Sequence, residues 1–113
     1  VVPDSYHQVI KIKSRTCAWS HGHMSGGSGN PETKIENWWK GQMYGHLPSG
    51  EAEILVTGHY HHFRSKQQGN RTWFQTPSLD KSIDFTSRTG LWSHPGVLTF
   101  TVNKKGWDNL AIL

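Results

Sequence analysis

At 113 residues the chain has the length of one small domain, enough to bury a core; 34% of it is apolar, with six tryptophans. Its mean hydropathy of −0.65, with no apolar run near the roughly 18 residues that a membrane span needs, excludes a helical membrane protein. A formal charge of +4 favours anionic partners, phosphates or nucleic acid, but no basic run exceeds two residues, which excludes a dedicated DNA-binding stripe.

Cys17 is the lone cysteine and can form no internal disulfide, which fits a reducing, cytoplasmic setting. Neither an initiating methionine nor a signal-peptide pattern precedes Val1-Val2-Pro3-Asp4. The expectation is a single unit over 1–113, processed or cut from something longer.

From the N-terminus, Tyr6 to Lys13 alternates as a strand, with Lys11 and Lys13 on one face and Ile10 and Ile12 on the other. After a short Ser14-Arg15 connection, Thr16 to Ser20 reads as a second strand running into His21-Gly22-His23. Ser25 to Gly29 is a glycine-rich loop. Asn30-Pro31-Glu32 then carries the signals of a helix start: an N-cap, a proline at the first helical position and an acid in the first turn. Ile35, Trp38, Trp39 and Met43 follow at i, i+3, i+4 and i+8, an apolar face that predicts core packing rather than a stacking platform for bases. Gly45 marks the stop, and Pro48 and Gly50 lie in a turn-rich connection.

Ile54-Leu55-Val56 reads as a buried strand, and it ends in Gly58-His59-Tyr60-His61-His62. Residues 16–57 thus form a strand–helix–strand unit suited to parallel pairing with a right-handed crossover. Downstream, Arg71 to Thr76, Gly96 to Val102 and Asn109 to Leu113 are β-like, with Gln68-Gly69-Asn70 as a turn. Pro77 to Pro95 reads as a long polar loop near the site, carrying Asp80, Asp84, Arg88 and His94. The fold class is mixed α/β, a mixed sheet with one main helix.

Two strand ends with histidines interleaved by glycine deliver imidazoles, the commonest metal ligands, to one sheet edge. Three of them can hold one zinc with a position left for water, or divide between two metals. The second arrangement needs bridging carboxylates, and none lies close in sequence to either histidine cluster. Other chemistries are excluded or disfavoured. No Gly-x-Ser-x-Gly elbow is present, and Ser25 to Gly29 lacks the closing Gly-Lys-Ser/Thr of a phosphate loop. A cupin expects a glutamate ligand a few residues after its His-x-His pair, where Arg64, Ser65 and Lys66 stand instead. A mononuclear zinc hydrolase would have to draw its acid or base from Asp80 or Asp84.

Gly58-His59-Tyr60-His61, preceded by His21-Gly22-His23 across one helix and one strand, resembles the last two signatures of the calcineurin-like metallophosphoesterases. The run Ile54 to His62, with Arg71 to Asp80 and Pro95 to Phe100, looks most like the phosphoesterases of tailed bacteriophages. The family's earlier signatures, Asp-x-His, Gly-Asp-x-x-Asp and Gly-Asn-His-Asp/Glu, are absent. The resemblance therefore implies the C-terminal half of a four-layer αββα sandwich, with His21 and His59 ligating one metal and His61 the other. His23 and His62 match no ligand position and are candidates for substrate or outer-sphere contacts; His7, His46 and His94 receive no role. It further implies two divalent ions (Mn, Zn, Fe, Ni or Mg), a phosphodiester or nucleic-acid substrate, and nuclease or nucleotide phosphodiesterase activity in the host cytoplasm. The isolated chain is expected to be weakly active or inactive, and to dimerise or to join a separate N-terminal half. The alternative is a non-catalytic metal- or partner-binding module derived from the same fold.

Overall fold

The computed structural model describes residues 7–23, 29–79 and 94–113. Strand β1 (His7–Ile12) pairs antiparallel with β2 (Arg15–Ser20), Ile12 opposite Arg15. The two-residue turn is Lys13-Ser14, one position earlier than expected, with φ of 47° and 71°. Positive φ at both positions gives the turn the twist of the strands it joins, here at the cost of holding two non-glycine residues left-handed. Arg15 belongs to the strand, and its guanidinium donates to the Glu53 carboxylate at 2.6 Å and to the Lys104 carbonyl.

Helix α1 (Pro31–Tyr44) begins as its signals dictate. The Asn30 side chain accepts from Thr33 N at 2.9 Å, and Gly45 closes the helix by donating to the Gly41 carbonyl at 2.9 Å. Ile35 and Trp39 are buried and Trp38 packs beside them, so the tandem tryptophans are core, while Met43 emerges toward solvent. The Trp39 indole donates to the Ser49 carbonyl at 2.9 Å and so anchors a 3-10 turn over Pro48–Glu51. A Cβ on Gly50 would lie 2.4 Å from Met43 Cα; glycine is required there by the close approach of two backbones.

β3 (Ile54–Thr57) is buried at every position, and β4 (Arg64–Gln68) and β5 (Arg71–Gln75) form a hairpin turning at Gly69-Asn70. The five strands make one mixed sheet ordered β1-β2-β3-β5-β4, in which β2, β3 and β5 run parallel. The parallel β2–α1–β3 unit is as expected. β4 is an addition: its sequence has no apolar residue, and it is an edge strand created by pairing rather than by burial.

β6 (Leu98–Asn103) and β7 (Gly106–Ile112) form a separate two-stranded sheet. β7 starts earlier than expected because Trp107 is part of it, packing edge-on to Phe74 with ring centroids 4.9 Å apart and donating to Thr72 Oγ1 at 2.9 Å. The pleat of the central sheet sorts its side chains. Ala18, Leu55 and Trp73 meet Ile35 and Trp39 of α1 on one face; Cys17, Ile54, Val56 and Phe74 meet Phe100, Val102, Trp107 and Leu110 on the other. This is a helix–sheet–hairpin stack. The β6–β7 hairpin covers the second apolar face of the sheet. Large exposed apolar side chains remain at Tyr44 and Leu47, and at Val97, Ile112 and Leu113. Among the described residues no helix is long and apolar enough to cross a membrane.

Candidate functional site

The parallel register pairs Ser20 with Thr57, so the segments leaving β2 and β3 emerge side by side at one sheet edge. Gly58 N donates to the His21 carbonyl at 3.2 Å and ties the two exits together. Gly22 is buried between them with φ of 94°, and a Cβ there would sit 3.4 Å from the Gly58 carbonyl oxygen. The gap is ordinary van der Waals contact, but the positive φ is one that only a residue without a side chain takes without strain.

The loop after β3 coils sharply. Tyr60 N donates to the Gly58 carbonyl at 2.9 Å, and His59 and His61 both adopt left-handed backbone, at φ 72° and 61°. Each such non-glycine residue costs about 1–2 kcal/mol, which is carried by the rigid strand ends on either side. The outcome is a cluster of three imidazoles from two strand ends. Ring centroids of His21 and His59 lie 5.0 Å apart, those of His21 and His23 5.0 Å, and those of His23 and His59 6.4 Å. The Nδ1 atoms of His21 and His23 are 3.0 Å apart, one donating its proton to the other.

Burial first, then the neighbouring His21, His23 and His61, lowers the His59 pKa from its ordinary value. The neutral imidazole, the form that ligates metals, is thereby favoured. His62 is lowered too, by burial and then by Arg64 and His61. Its carbonyl accepts from Gln75 Nε2 at 2.9 Å, which pins the far end of the loop to β5. Of the five histidines singled out in the sequence, His21, His23 and His59 come together as rings, His61 stands exposed next to them in the loop, and His62 is held at the β5 side.

One residue at this edge was not assigned from the sequence. His7 lies opposite Ser20, its Nδ1 2.9 Å from Ser20 Oγ and its ring 4.9 Å from that of Trp38. Ser20 Oγ in turn accepts from Gly22 N at 3.3 Å. The two-residue Lys13-Ser14 connection fixes the register that brings His7 beside Ser20, and no turn residue in the sequence signals it. His46 follows α1 at its other end, and His94 is exposed ahead of β6. Asp80, Asp84 and Arg88 lie outside the described residues.

The donor type suits a divalent ion, but the donor count does not close a site. Among the described residues no group of three or more His, Cys, Asp or Glu is arranged to hold a metal ion. Among the described residues, the cluster offers imidazoles without carboxylates.

No family model and no curated protein matches this chain. Solved structures do. A Vps29 point mutant from Entamoeba histolytica superimposes with a TM-score of 0.64 at 17% identity, covering 96% of this chain and 61% of that one. Vps29 from the same organism, complexed with Zn2+, gives a TM-score of 0.51 at 22% identity over 83% of this chain and 44% of its own. A predicted phosphoesterase from Streptococcus pneumoniae gives 0.53 at 16% identity, over 84% and 45%. The chain shares the mixed α/β fold of Vps29 and this predicted phosphoesterase, and it spans at most 61% of the length of these three proteins.

Proposed function

We propose that this chain contributes the histidine side of a dinuclear metallophosphoesterase site and corresponds to the C-terminal half of such an enzyme. The observation that carries the proposal is the convergence of two parallel strand ends, which sets the His21 and His59 rings 5.0 Å apart at one sheet edge. In this reading His21 and His59 ligate one divalent ion and His61 the other. A bound pair of ions would supply charge neutralisation at phosphorus and an activated water. Where His21 Nδ1 donates to His23 Nδ1, His21 Nε2 is left unprotonated and able to ligate. The His62 carbonyl, held by Gln75, keeps the loop that carries His59 and His61 in its coiled form. The bridging carboxylates come from a separate N-terminal half or a second chain. The likeness of Ile54 to His62 and Arg71 to Asp80 to the tailed-phage enzymes makes a nucleic-acid phosphodiester the first substrate to try.

The absence of a closed ligand set among the described residues favours a second reading. It is a module of the same fold that binds a metal or a partner without catalysis. Hydrolysis of bis-p-nitrophenyl phosphate with Mn2+ or Zn2+ separates these readings. The purified chain alone is expected to show little or no turnover, and addition of a half carrying the aspartate motifs should restore it with two metals per assembled site. Efficient metal-dependent turnover by the chain alone would refute the missing-carboxylate reading. Assembly with such a half without turnover supports the module.

A further inference from the structure

We propose that Arg64 is the substrate-binding residue of the histidine edge, gripping the non-bridging oxygens of a phosphodiester; the inference rests on the phosphoesterase reading above. The sheet register places it there. Ser20 pairs with Thr57, Thr57 with Gln75 and Gln75 with Arg64, so the four form one row across β2, β3, β5 and β4. The histidine segments leave from this same row: His21 follows Ser20, and Gly58-His59 follows Thr57. Arg64 stands two strands from Thr57, about 10 Å at the ordinary spacing. It comes two residues after His62, on which its charge acts.

The row faces the helix. Side chains alternate along β4, and Lys66, two positions on, reaches Glu32 and Glu36 of α1, so Arg64 is on the α1 side too. The segment after β2 leans the same way, since a Cβ on Gly22 would lie 3.6 Å from Ile35 Cδ1. Arg64 and the segment carrying His21 and His23 thus share one side of one sheet edge. The charge of Arg64 is also available. Its Nε is buried without a partner and takes no part in recognition, but its terminal nitrogens are not buried and make no hydrogen bond or ion pair among the described residues. Glu32 and Glu36, the acids of α1 on this side, are engaged by Lys66. No carboxylate among the described residues acts on His59 or His62. A phosphodiester offers two non-bridging oxygens that share one negative charge, which the planar fork of a guanidinium meets with two parallel N–H donors.

The test titrates the full chain, free of metal, with the dithymidine phosphodiester TpT and with its uncharged methylphosphonate analogue, following Arg64 Nε–H and the histidine side chains by 1H–15N NMR. The phosphodiester should shift Arg64 and His62 saturably and bind about five-fold more tightly than the analogue, the effect of one half-exposed ion pair. Arg64→Gln should remove this preference and Arg64→Lys should keep part of it, whereas Lys105→Gln, on the β6–β7 turn, should leave it intact. Equal affinity for the two ligands, or a preference that survives Arg64→Gln, would overturn the proposal. A parallel titration with Zn2+ separates it from the reading on which it rests. If Zn2+ moves His21 and His59 but the two ligands bind alike, the role of Arg64 alone fails. If the preference is found without a Zn2+ response, Arg64 stands as the phosphodiester anchor and the metal reading fails.

Discussion

Replacing Thr57 with valine tests whether the strand that delivers His59 is locked to the helix-side core. Thr57 and Trp73 are 1% and 2% exposed, and the Trp73 indole donates to Thr57 Oγ1 at 2.8 Å. Valine keeps the shape and strands the indole N–H where no water reaches it. An unmade buried donor costs about 1–3 kcal/mol, so we expect a loss of about 2 kcal/mol. For a chain of 113 residues that is a fall of about 8 °C in Tm. The clean measurement is a double-mutant cycle in urea with Trp73→Phe, which removes the donor itself. The Thr57→Val penalty should shrink by about 1 kcal/mol or more in the phenylalanine background. Additive single effects, within about 0.3 kcal/mol, would show that this hydrogen bond does not link the two residues, and the reasoning would fail.

Gly50→Ala places a Cβ 2.4 Å from Met43 Cα and N, so backbone has to move; we expect a loss of about 3 kcal/mol or more, comparable to overpacking a core, read from chemical denaturation. Stability should also depend on pH. The pKa values of His59 and His62 are lowered on folding, so unfolding takes up protons near the ordinary histidine value. Their contribution is present above about pH 6.5 and is lost as pH falls through the folded-state values. Urea midpoints should therefore be lower at pH 5.5 than at pH 7.5, and a flat profile would contradict the assignment. Gly22→Ala, at φ of 94°, should cost about 1–2 kcal/mol and broaden the His21 and His59 imidazole signals as the strained segment after β2 shifts.

The parts of the fold legible in the sequence are those where local chemistry and tertiary packing agree. Asn30-Pro31 starts α1 because the cap and the fixed proline φ act locally, and Ile35 and Trp39 face inward because their spacing matches the helix. The parallel strand ends were readable for the same reason, since a buried run followed by glycine stops where it says it stops. β4 was hidden because Arg64 to Gln68 carries no apolar pattern; its strand exists only through its partner β5. The coiled backbone at His59 and His61 was equally silent, because nothing in a non-glycine residue announces a positive φ. The arrival of His7 at the same edge depended on the register of an unsignalled turn at Lys13-Ser14. The covered second sheet face followed from Trp107 and Phe100, which as isolated aromatics gave no hint of which sheet they would meet.

The most direct test of the site is a long-range 1H–15N spectrum of the histidine side chains titrated with Zn2+. The imidazoles of His21 and His59 should move together with a single weak affinity, His23 should change tautomer population with His21, and His46 and His94 should stay in place. Perturbation confined to His46 or His94, or no response from His21 and His59, would contradict the reading of this edge as the histidine half of a metal site.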